Sequence, residues 1–439
     1  MKFQAPKGTH DILPGESERW AWLEVRLREI LARYGYREVR TPMFESTDLF
    51  VRSVGEATDI VRKELYTFED KGGRSLTLRP EGTAPLVRAF LEHSLGHGQP
   101  MARLYYVGAM FRYERPQAGR FRQFWQVGAE LLGPGGPAAD GEMIDLFVAI
   151  MRGVGLADPT VLLNSLGDAT CRPAYKERIR DHFGKHLDSL CGDCKERFRT
   201  NPLRILDCKV PSCQPILAGA PAMLDSLCDP CREHFQGVQA ALRALAIPYE
   251  IAPRLVRGLD YYTRTVFEVH SGTLGSQNAV GGGGRYDLLV EEFGGPSVPA
   301  IGFSIGLERL LIAAGEAAPG AGGPDVCVLS RSPEATLEAL ALARELRGLP
   351  APGAGGSEER GLVVLADVTG RSAGAQMKWA SKMSARYVVF APPDPDGYPV
   401  RNMEAGTDEP KQKTAAALRA WLLERVKKGE RAQKGEHAR

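Results

Sequence analysis

The chain has 439 residues, enough for about three domains and for several buried cores without a disulfide scaffold. Apolar residues make up 43% and charged residues 25%, which excludes a wholly disordered or fibrous chain; no apolar run approaches the roughly 18 residues of a transmembrane helix. A formal net charge of +2 carries no global signature of a polyanionic partner, so any nucleic-acid surface must be local.

The opening residues, through Gly8-Thr9-His10-Asp11, lack the apolar core of a secretory signal, so the expected location is the cytoplasm, away from membranes. The first strongly patterned segment is a period-two run. Val107, Ala109, Phe111 and Tyr113 share one face, with Gly108, Met110, Arg112 and Glu114 on the other. After the loop 115–122, which carries Arg115, Arg120 and Arg122, a second run places Gln126, Gly128 and Glu130 on a common surface. The expectation is an antiparallel hairpin with a polar face and a basic tip. Gly128 would leave an open floor on which something flat can lie, bordered by Arg112 and Glu114. An ordinary solvent-facing sheet surface is the competing reading.

Six of the eight cysteines fall between positions 191 and 231, as Cys191-x-x-Cys194, Cys208-x₄-Cys213 and Cys228-x-x-Cys231. In a reducing compartment this clustering points to metal or to buried thiols before disulfides. The two CxxC knuckles make Cys191, Cys194, Cys228 and Cys231 candidate ligands of one structural zinc; buried free thiols are an equal reading of the same cysteines. Cys171 and the helix-spaced pair His182 and His186 are substitute ligands. The glycine run 281–284 lacks the Lys-Ser/Thr ending of a P-loop and the Rossmann spacing. It reads instead as close backbone packing beneath a site, with Tyr286 pointing in. Arg309 starts an apolar helix containing Leu307, Leu310, Leu311 and Ala314.

A Pro/Gly-rich linker at 315–324 then separates a large body from a C-terminal α/β domain. There the expected elements are strands at 326–329, 362–365 and 387–390, helices at 333–347 and 373–383, and a closing helix from 411 to about 425. A loop is expected at 348–356, and a solvated basic tail at 426–439.

Several of these segments together carry a resemblance. The run 111–117 (FRYERPQ), continued by Arg122-Gln123-Phe124-Trp125-Gln126 and Glu130, resembles motif 2 of class II aminoacyl-tRNA synthetases. Residues 300–310 (AIGFSIGLERL) resemble motif 3, and 36–42 (YREVRTP) motif 1. Residues 257–263 (RGLDYYT) and 283–287 (GGRYD) are similar to signatures of histidyl-tRNA synthetases, as are 78–83 (LRPEGT) and Gln376-Met377-Lys378. The likeness runs from about residue 2 to about 425.

This resemblance implies an α+β catalytic domain on an antiparallel sheet (1–167 and 251–318), a helical insertion (168–250), and a C-terminal α/β anticodon-binding domain with a mixed sheet (325–425). It implies activation of L-histidine by ATP and transfer to the 3′ end of tRNA(His), in a homodimer using Mg²⁺. A synthetase-shaped, non-catalytic regulatory subunit of ATP phosphoribosyltransferase is the alternative. Arg112 and Arg257 match the two arginines that grip the α-phosphate; Arg309, Glu114 and Arg120 fall at the nucleotide. Glu81 and Thr83 are implied at the α-ammonium with Gln126 close by. Glu130 and Tyr262 are implied at the imidazole nitrogens with Tyr261 beside them. Arg112 and Arg257 also reach the histidine side of the reacting centre. A neutral imidazole offers one donor and one acceptor, which a carboxylate and a phenol can satisfy.

Overall fold

Alternation in the two central runs becomes a long antiparallel pair, Ala102–Phe111 and Gln123–Leu132. Its register sets Gly108 opposite Gln126, Tyr106 opposite Gly128 and Leu104 opposite Glu130. The structure is a computed structural model that describes residues 3–436, except 57, 117–118, 157, 273–278, 316–321 and 353–358. Gln117, part of the motif 2 match, and most of the expected linker lie outside the described residues.

Around this pair stands an eight-stranded sheet. Its order is Arg37–Glu38, Ala102–Phe111, Gln123–Leu132, Ala300–Gly306, Ala279–Arg285, Thr263–His270, Thr160–Ser165 and Tyr249–Ile251. The two outermost pairings are parallel and the others antiparallel. One face is closed by the helices Ser17–Arg33, Pro137–Gly153 and Leu307–Ala314. Val127, Ala129 and Leu131 point into that core beside Leu27, Phe147 and Phe303, so the period-two pattern is obeyed. The residues between them look to the opposite face, where Tyr106, Tyr261, Tyr262 and Tyr286 gather against Leu86 and Val87 of the helix Thr83–Glu92. The candidate site residues gather on this second face.

Glycines at 281–284 let three strands close up as expected. A Cβ at Gly282 would meet the Phe267 carbonyl at 2.5 Å and the Arg257 guanidinium at 2.9 Å; one at Gly284 would meet Tyr262 at 2.9 Å. Below them Arg285 is fully buried. It donates to Asp140, whose other oxygen lies 2.9 Å from His234 Nε2, and to the Pro134 carbonyl at 2.8 Å. Every charge in this group has a partner, as a dry site requires.

Between the strands Thr160–Ser165 and Tyr249–Ile251 the chain is helical. It contains Arg172–Gly184, Gly192–Thr200 and Asp229–Ala244, joined by short 3₁₀ turns. Residues 1–320 form one compact unit and residues 321–439 a second.

The second unit has a mixed five-stranded sheet, ordered Val364–Ala366, Val326–Ser330, Tyr387–Ala391, Tyr398–Asn402 and Thr407–Gln412. The first three strands are parallel and the last two add antiparallel. Gln376 joins the helix Ala373–Lys382 to this sheet through Ser330 Oγ at 2.9 Å and the Ser330 N–H at 2.9 Å. Three expectations need correcting. The strand read at 362–365 is Val364–Ala366, with Leu362 and Val363 leading into it. The glycine-rich loop at 348–356 includes a short hairpin stem, Pro350–Pro352 paired with Glu359–Gly361. Lys411 and Gln412 end a strand, and the last helix runs Ala415–Glu436 through much of the segment read as a tail. Lys, Arg, Glu, Gln and Ala all favour helix, so high charge at 426–436 did not imply an irregular backbone.

Candidate active site

A cleft of about 440 Å³ opens on the polar face of the large sheet. All twelve side chains singled out for substrate contact line it: Glu81, Thr83, Arg112, Glu114, Arg120, Gln126, Glu130, Arg257, Tyr261, Tyr262, Tyr286 and Arg309. They come from five separate stretches of chain, so only the fold assembles them.

Part of the cleft is built on Glu130. Its side chain is fully buried and accepts hydrogen bonds from Thr83 Oγ1 and Tyr286 Oη, each at 2.7 Å. On the neighbouring strand Gly302 stands opposite, and a Cβ there would fall 1.5 Å from Glu130 Oε2. The glycine is therefore the seat of the carboxylate. Tyr261 packs against Tyr262 and Tyr286, with ring centroids at 4.7 and 5.7 Å. Glu81 is also buried, its two oxygens accepting the N–H groups of Thr83 (2.7 Å) and Ala84 (2.9 Å) at the start of a helix. Orphan N–H donors at that terminus are satisfied this way. Burial raises the Glu81 carboxyl above its usual range. Gln126 Oε1 is buried and has no hydrogen-bond partner among the described residues.

The expected open floor at Gly128 is not there. The Tyr106 ring fills it, and a Cβ at Gly128 would meet that ring at 2.2 Å. Gly82 covers the ring's other side, where a Cβ would meet it at 2.3 Å. Tyr106 faces Gly128 across the strand pair, and a residue without a side chain is where a neighbouring aromatic leans. Arg112 and Glu114 also differ from expectation: the strand ends at Phe111, and both are carried by the loop beyond it.

The same cleft carries several arginines. Arg112 donates from Nε to the Pro80 carbonyl at 2.8 Å and lies 5.3 Å from the Phe124 ring. Glu114 stands between Arg112 (3.9 Å) and Arg120 (3.5 Å). Arg257 Nη1 donates to Glu268 Oε1 at 2.7 Å, while Arg257 Nε is buried without a partner among the described residues. Arg309 donates to the Ala279 carbonyl. Each of Arg112, Arg257 and Arg309 thus donates to a protein acceptor, the arrangement that pre-orients a fixed charge.

Several positioning residues were missed. Glu268 holds Arg257 and lies 3.0 Å from His270; alternation within Thr263–His270 was a signal for that polar edge. Burial opposes its charge, yet His270 and Arg257 hold the Glu268 carboxyl below its usual range. Arg204 donates to the Arg257 carbonyl at 2.7 Å, Asn201 to Asp260 at 3.0 Å, and Arg172 to the Tyr262 carbonyl at 2.5 Å. These three reach in from the helical segment and pin the stretch 257–262. Nothing local in the sequence marks them.

A family model described as histidyl-tRNA synthetase matches residues 8–310. A protein from Desulforamulus reducens named histidine–tRNA ligase is 47% identical over 416 residues, covering 93% of this chain and 96% of that one. The chain belongs to the histidyl-tRNA synthetase family. A solved S. aureus histidyl-tRNA synthetase is 35% identical with a TM-score of 0.74, covering 93% of this chain and 96% of its own. A Bacillus halodurans structure described as an ATP phosphoribosyltransferase regulatory subunit/histidyl-tRNA synthetase is 23% identical, with a TM-score of 0.58 over 86% of this chain and 96% of its own. That second likeness shows the fold alone.

The cysteines of this synthetase do not form the single set expected. Cys191 and Cys194 cluster with Cys208 and Cys213, whereas Cys228 and Cys231 cluster with Cys171 and Asp168. The physical reason is where each knuckle's helix packs. Gly192–Thr200 lies against the turn Pro202–Asp207, while Asp229–Ala244 lies against Pro137–Gly153. Among the described residues His182 and His186 belong to neither cluster, and His182 Nε2 bonds to the Ile216 carbonyl at 2.9 Å.

Burial pushes the Glu130 carboxyl up to about 8; hydrogen bonds from Tyr286 and Thr83 oppose the shift, and the nearby Glu81 adds to it. The unfolded chain ionises such a group near about 4.3. Between those values the folded protein keeps a proton that the unfolded chain has lost. The contribution to stability is complete at acid pH and disappears as pH rises through the folded value. Ligand-free protein is therefore expected to lose on the order of a few kcal/mol between pH 5 and 8.5 that Glu130→Gln retains. Denaturant unfolding of both proteins across this range is the check; parallel curves would remove Glu130 as the cause.

Proposed function

We propose that this synthetase activates L-histidine with ATP and transfers the histidyl group to the 3′ end of tRNA(His). The observation that carries the reading is one cleft lined together by a buried carboxylate, tyrosines and three arginines. Histidine would lie with its imidazole between Glu130 and Tyr262, beside Tyr261. Its ammonium would lie at Glu81 and Thr83, with Gln126 Oε1 facing it. Each Glu81 oxygen already accepts one backbone N–H and keeps a second lone pair for this contact. A site built on such bonds rejects analogues that cannot make them by about 10⁴–10⁵.

The nucleophile, histidine's own carboxylate, is already an anion, so no side-chain base is required. Catalysis then consists of holding carboxylate and α-phosphate in line and of placing fixed positive charge where negative charge grows. Arg112 and Arg257 supply that charge on the α-phosphate; Arg309 and Arg120 serve the rest of the nucleotide. Guanidinium groups suit phosphate oxygens because their forks are planar and their charge is permanent. Magnesium arriving on the ATP phosphates would meet the carboxylates of Glu114 and Glu268, the hard oxygen donors this ion takes, and would neutralise phosphate charge. Histidine-dependent ATP–pyrophosphate exchange tests the reading directly; exchange equally supported by other amino acids, or none, would defeat it.

Residues 325–425 are read as the anticodon-binding domain, and the protein as a cytoplasmic homodimer with motif 1 (36–42) at its interface. Among the described residues no helix is long and apolar enough to cross a membrane. The unit 321–439 has its own core, centred on Val326, Val389 and Leu418. Truncation after about residue 320 is expected to leave pyrophosphate exchange within a few-fold while reducing tRNA charging at least about 10²-fold, since the lost module supplies tRNA affinity and no adenylate chemistry. Normal charging by a truncated dimer would refute the assignment.

A further inference from the structure

Two groups of metal-binding side chains lie in the helical segment, apart from the catalytic arginines and tyrosines. In the first, the ligand atoms of Cys191, Cys194, Cys208 and Cys213 fall within 4.8 Å of one another. Cys191 Sγ and Cys208 Sγ are 3.9 Å apart, far beyond the roughly 2.05 Å of a disulfide. Thiolates bound to tetrahedral zinc at about 2.3 Å stand about 3.8 Å apart, which this spacing matches. Backbone N–H groups already point at two of the sulfurs, Cys191 N–H at Cys213 Sγ (3.3 Å) and Val210 N–H at Cys208 Sγ (3.4 Å).

The second group contains Asp168, Cys171, Cys228 and Cys231, again within 4.8 Å. Asp168 Oδ1 lies 3.6 Å from Cys171 Sγ and 3.7 Å from Cys228 Sγ, and the Asp168 N–H points at Cys171 Sγ at 3.4 Å. Its other oxygen is 3.6 Å from Arg264, a cation that offsets part of the excess charge of four anionic ligands. The two groups are built alike. Each takes a CxxC knuckle at the start of a helix, Cys191 before Gly192–Thr200 and Cys228 before Asp229–Ala244, and adds a second short loop. In the second group that loop is Asp168-x-x-Cys171, a knuckle whose first ligand is a carboxylate.

We propose that the helical segment binds two structural zinc ions, one held by Cys191, Cys194, Cys208 and Cys213 and the other by Asp168, Cys171, Cys228 and Cys231. Sulfur-rich tetrahedral sets with no open position suit zinc in a structural role. The need for them is visible in the segment 185–228, whose elements are short helices and 3₁₀ turns too small to make a large core. Both ions would sit behind the active-site stretch 257–262. Arg204 and Asn201, which hold Arg257 and Asp260, lie four and seven residues before Cys208; Arg172, which holds Tyr262, directly follows Cys171.

Elemental analysis of full-length protein purified without chelator is expected to find two zinc ions per chain. Cys213→Ser and Cys231→Ser should each retain one, and the double variant none. Wild-type protein with one zinc or none overturns the proposal, as does loss of the same single ion in both variants. A measurement on unmutated protein guards against variants that fail to fold. Stepwise blocking of thiols by an organomercurial, read with a zinc-sensitive dye, should release two equivalents as seven cysteines react. Immediate reaction of all seven without zinc release would leave them as free thiols and end the proposal.

Discussion

Arg257→His is expected to slow histidyl-adenylate formation by about 10²–10³-fold, the usual loss on removing one pre-aimed donor to a transition state. The Michaelis constant for histidine should stay within a few-fold. This split follows from the geometry. Glu268 ties one nitrogen of the guanidinium, Arg204 holds the residue's own carbonyl, and the buried Nε has no protein partner. The side chain is thus fixed before substrate arrives, and its charge gains most where the α-phosphate gains negative charge. Single-turnover adenylate formation with saturating histidine and ATP would measure it. An unchanged rate, or a loss confined to histidine affinity, would show that Arg257 does not act on the phosphate.

Gly302→Ala is expected to remove histidine activation, with kcat/KM falling by about 10²–10⁴-fold. A methyl group there would stand 1.5 Å from Glu130 Oε2 and 2.8 Å from the Ala129 carbonyl, so the carboxylate must leave its seat. Its bonds to Thr83 and Tyr286 would go with it, and hydrogen bonds to a charged or buried group are each worth about 1.5–3 kcal/mol. ATP binding, supported by the arginines and not by Glu130, should change little. Pyrophosphate exchange over a wide histidine range, with nucleotide affinity measured separately, checks both halves. Near-normal histidine kinetics would mean that Glu130 is not the imidazole's carboxylate.

How much of this was readable beforehand depended on whether a residue's partner was near in sequence. The hairpin was legible because period-two alternation states the two faces of a strand directly, and Val127 and Ala129 did turn away from Gln126 and Glu130. The glycines were read only half correctly. At 281–284 close packing was the right inference, but at Gly128 the missing side chain was taken as space for a ligand, when Tyr106 from the opposite strand occupies it. A sequence shows that a position is empty without showing what fills it. The cysteine error has a similar origin. Two CxxC knuckles suggest one four-thiol site, and the search for thiols passed over Asp168, three residues before Cys171. The hairpin Tyr398–Asn402 and Thr407–Gln412 was hidden because its sequence is polar and contains Pro410, both weak strand signals, although it lies on the sheet's edge, where such residues are tolerated.

The grip of Arg172, Asn201 and Arg204 on the backbone and side chains of 257–262 bears on chimeric proteins. A helical segment that looks peripheral is ordinarily treated as exchangeable between relatives. Here it supplies three of the hydrogen bonds that set where Arg257, Asp260 and Tyr262 stand. Exchanging residues 168–250 for a donor segment lacking these three donors would leave every substrate-contacting side chain in place by identity and misplace it by position. A graft would have to carry the donors together with the stretch they hold, so the smallest transplantable piece of this active site includes residues that never touch a substrate.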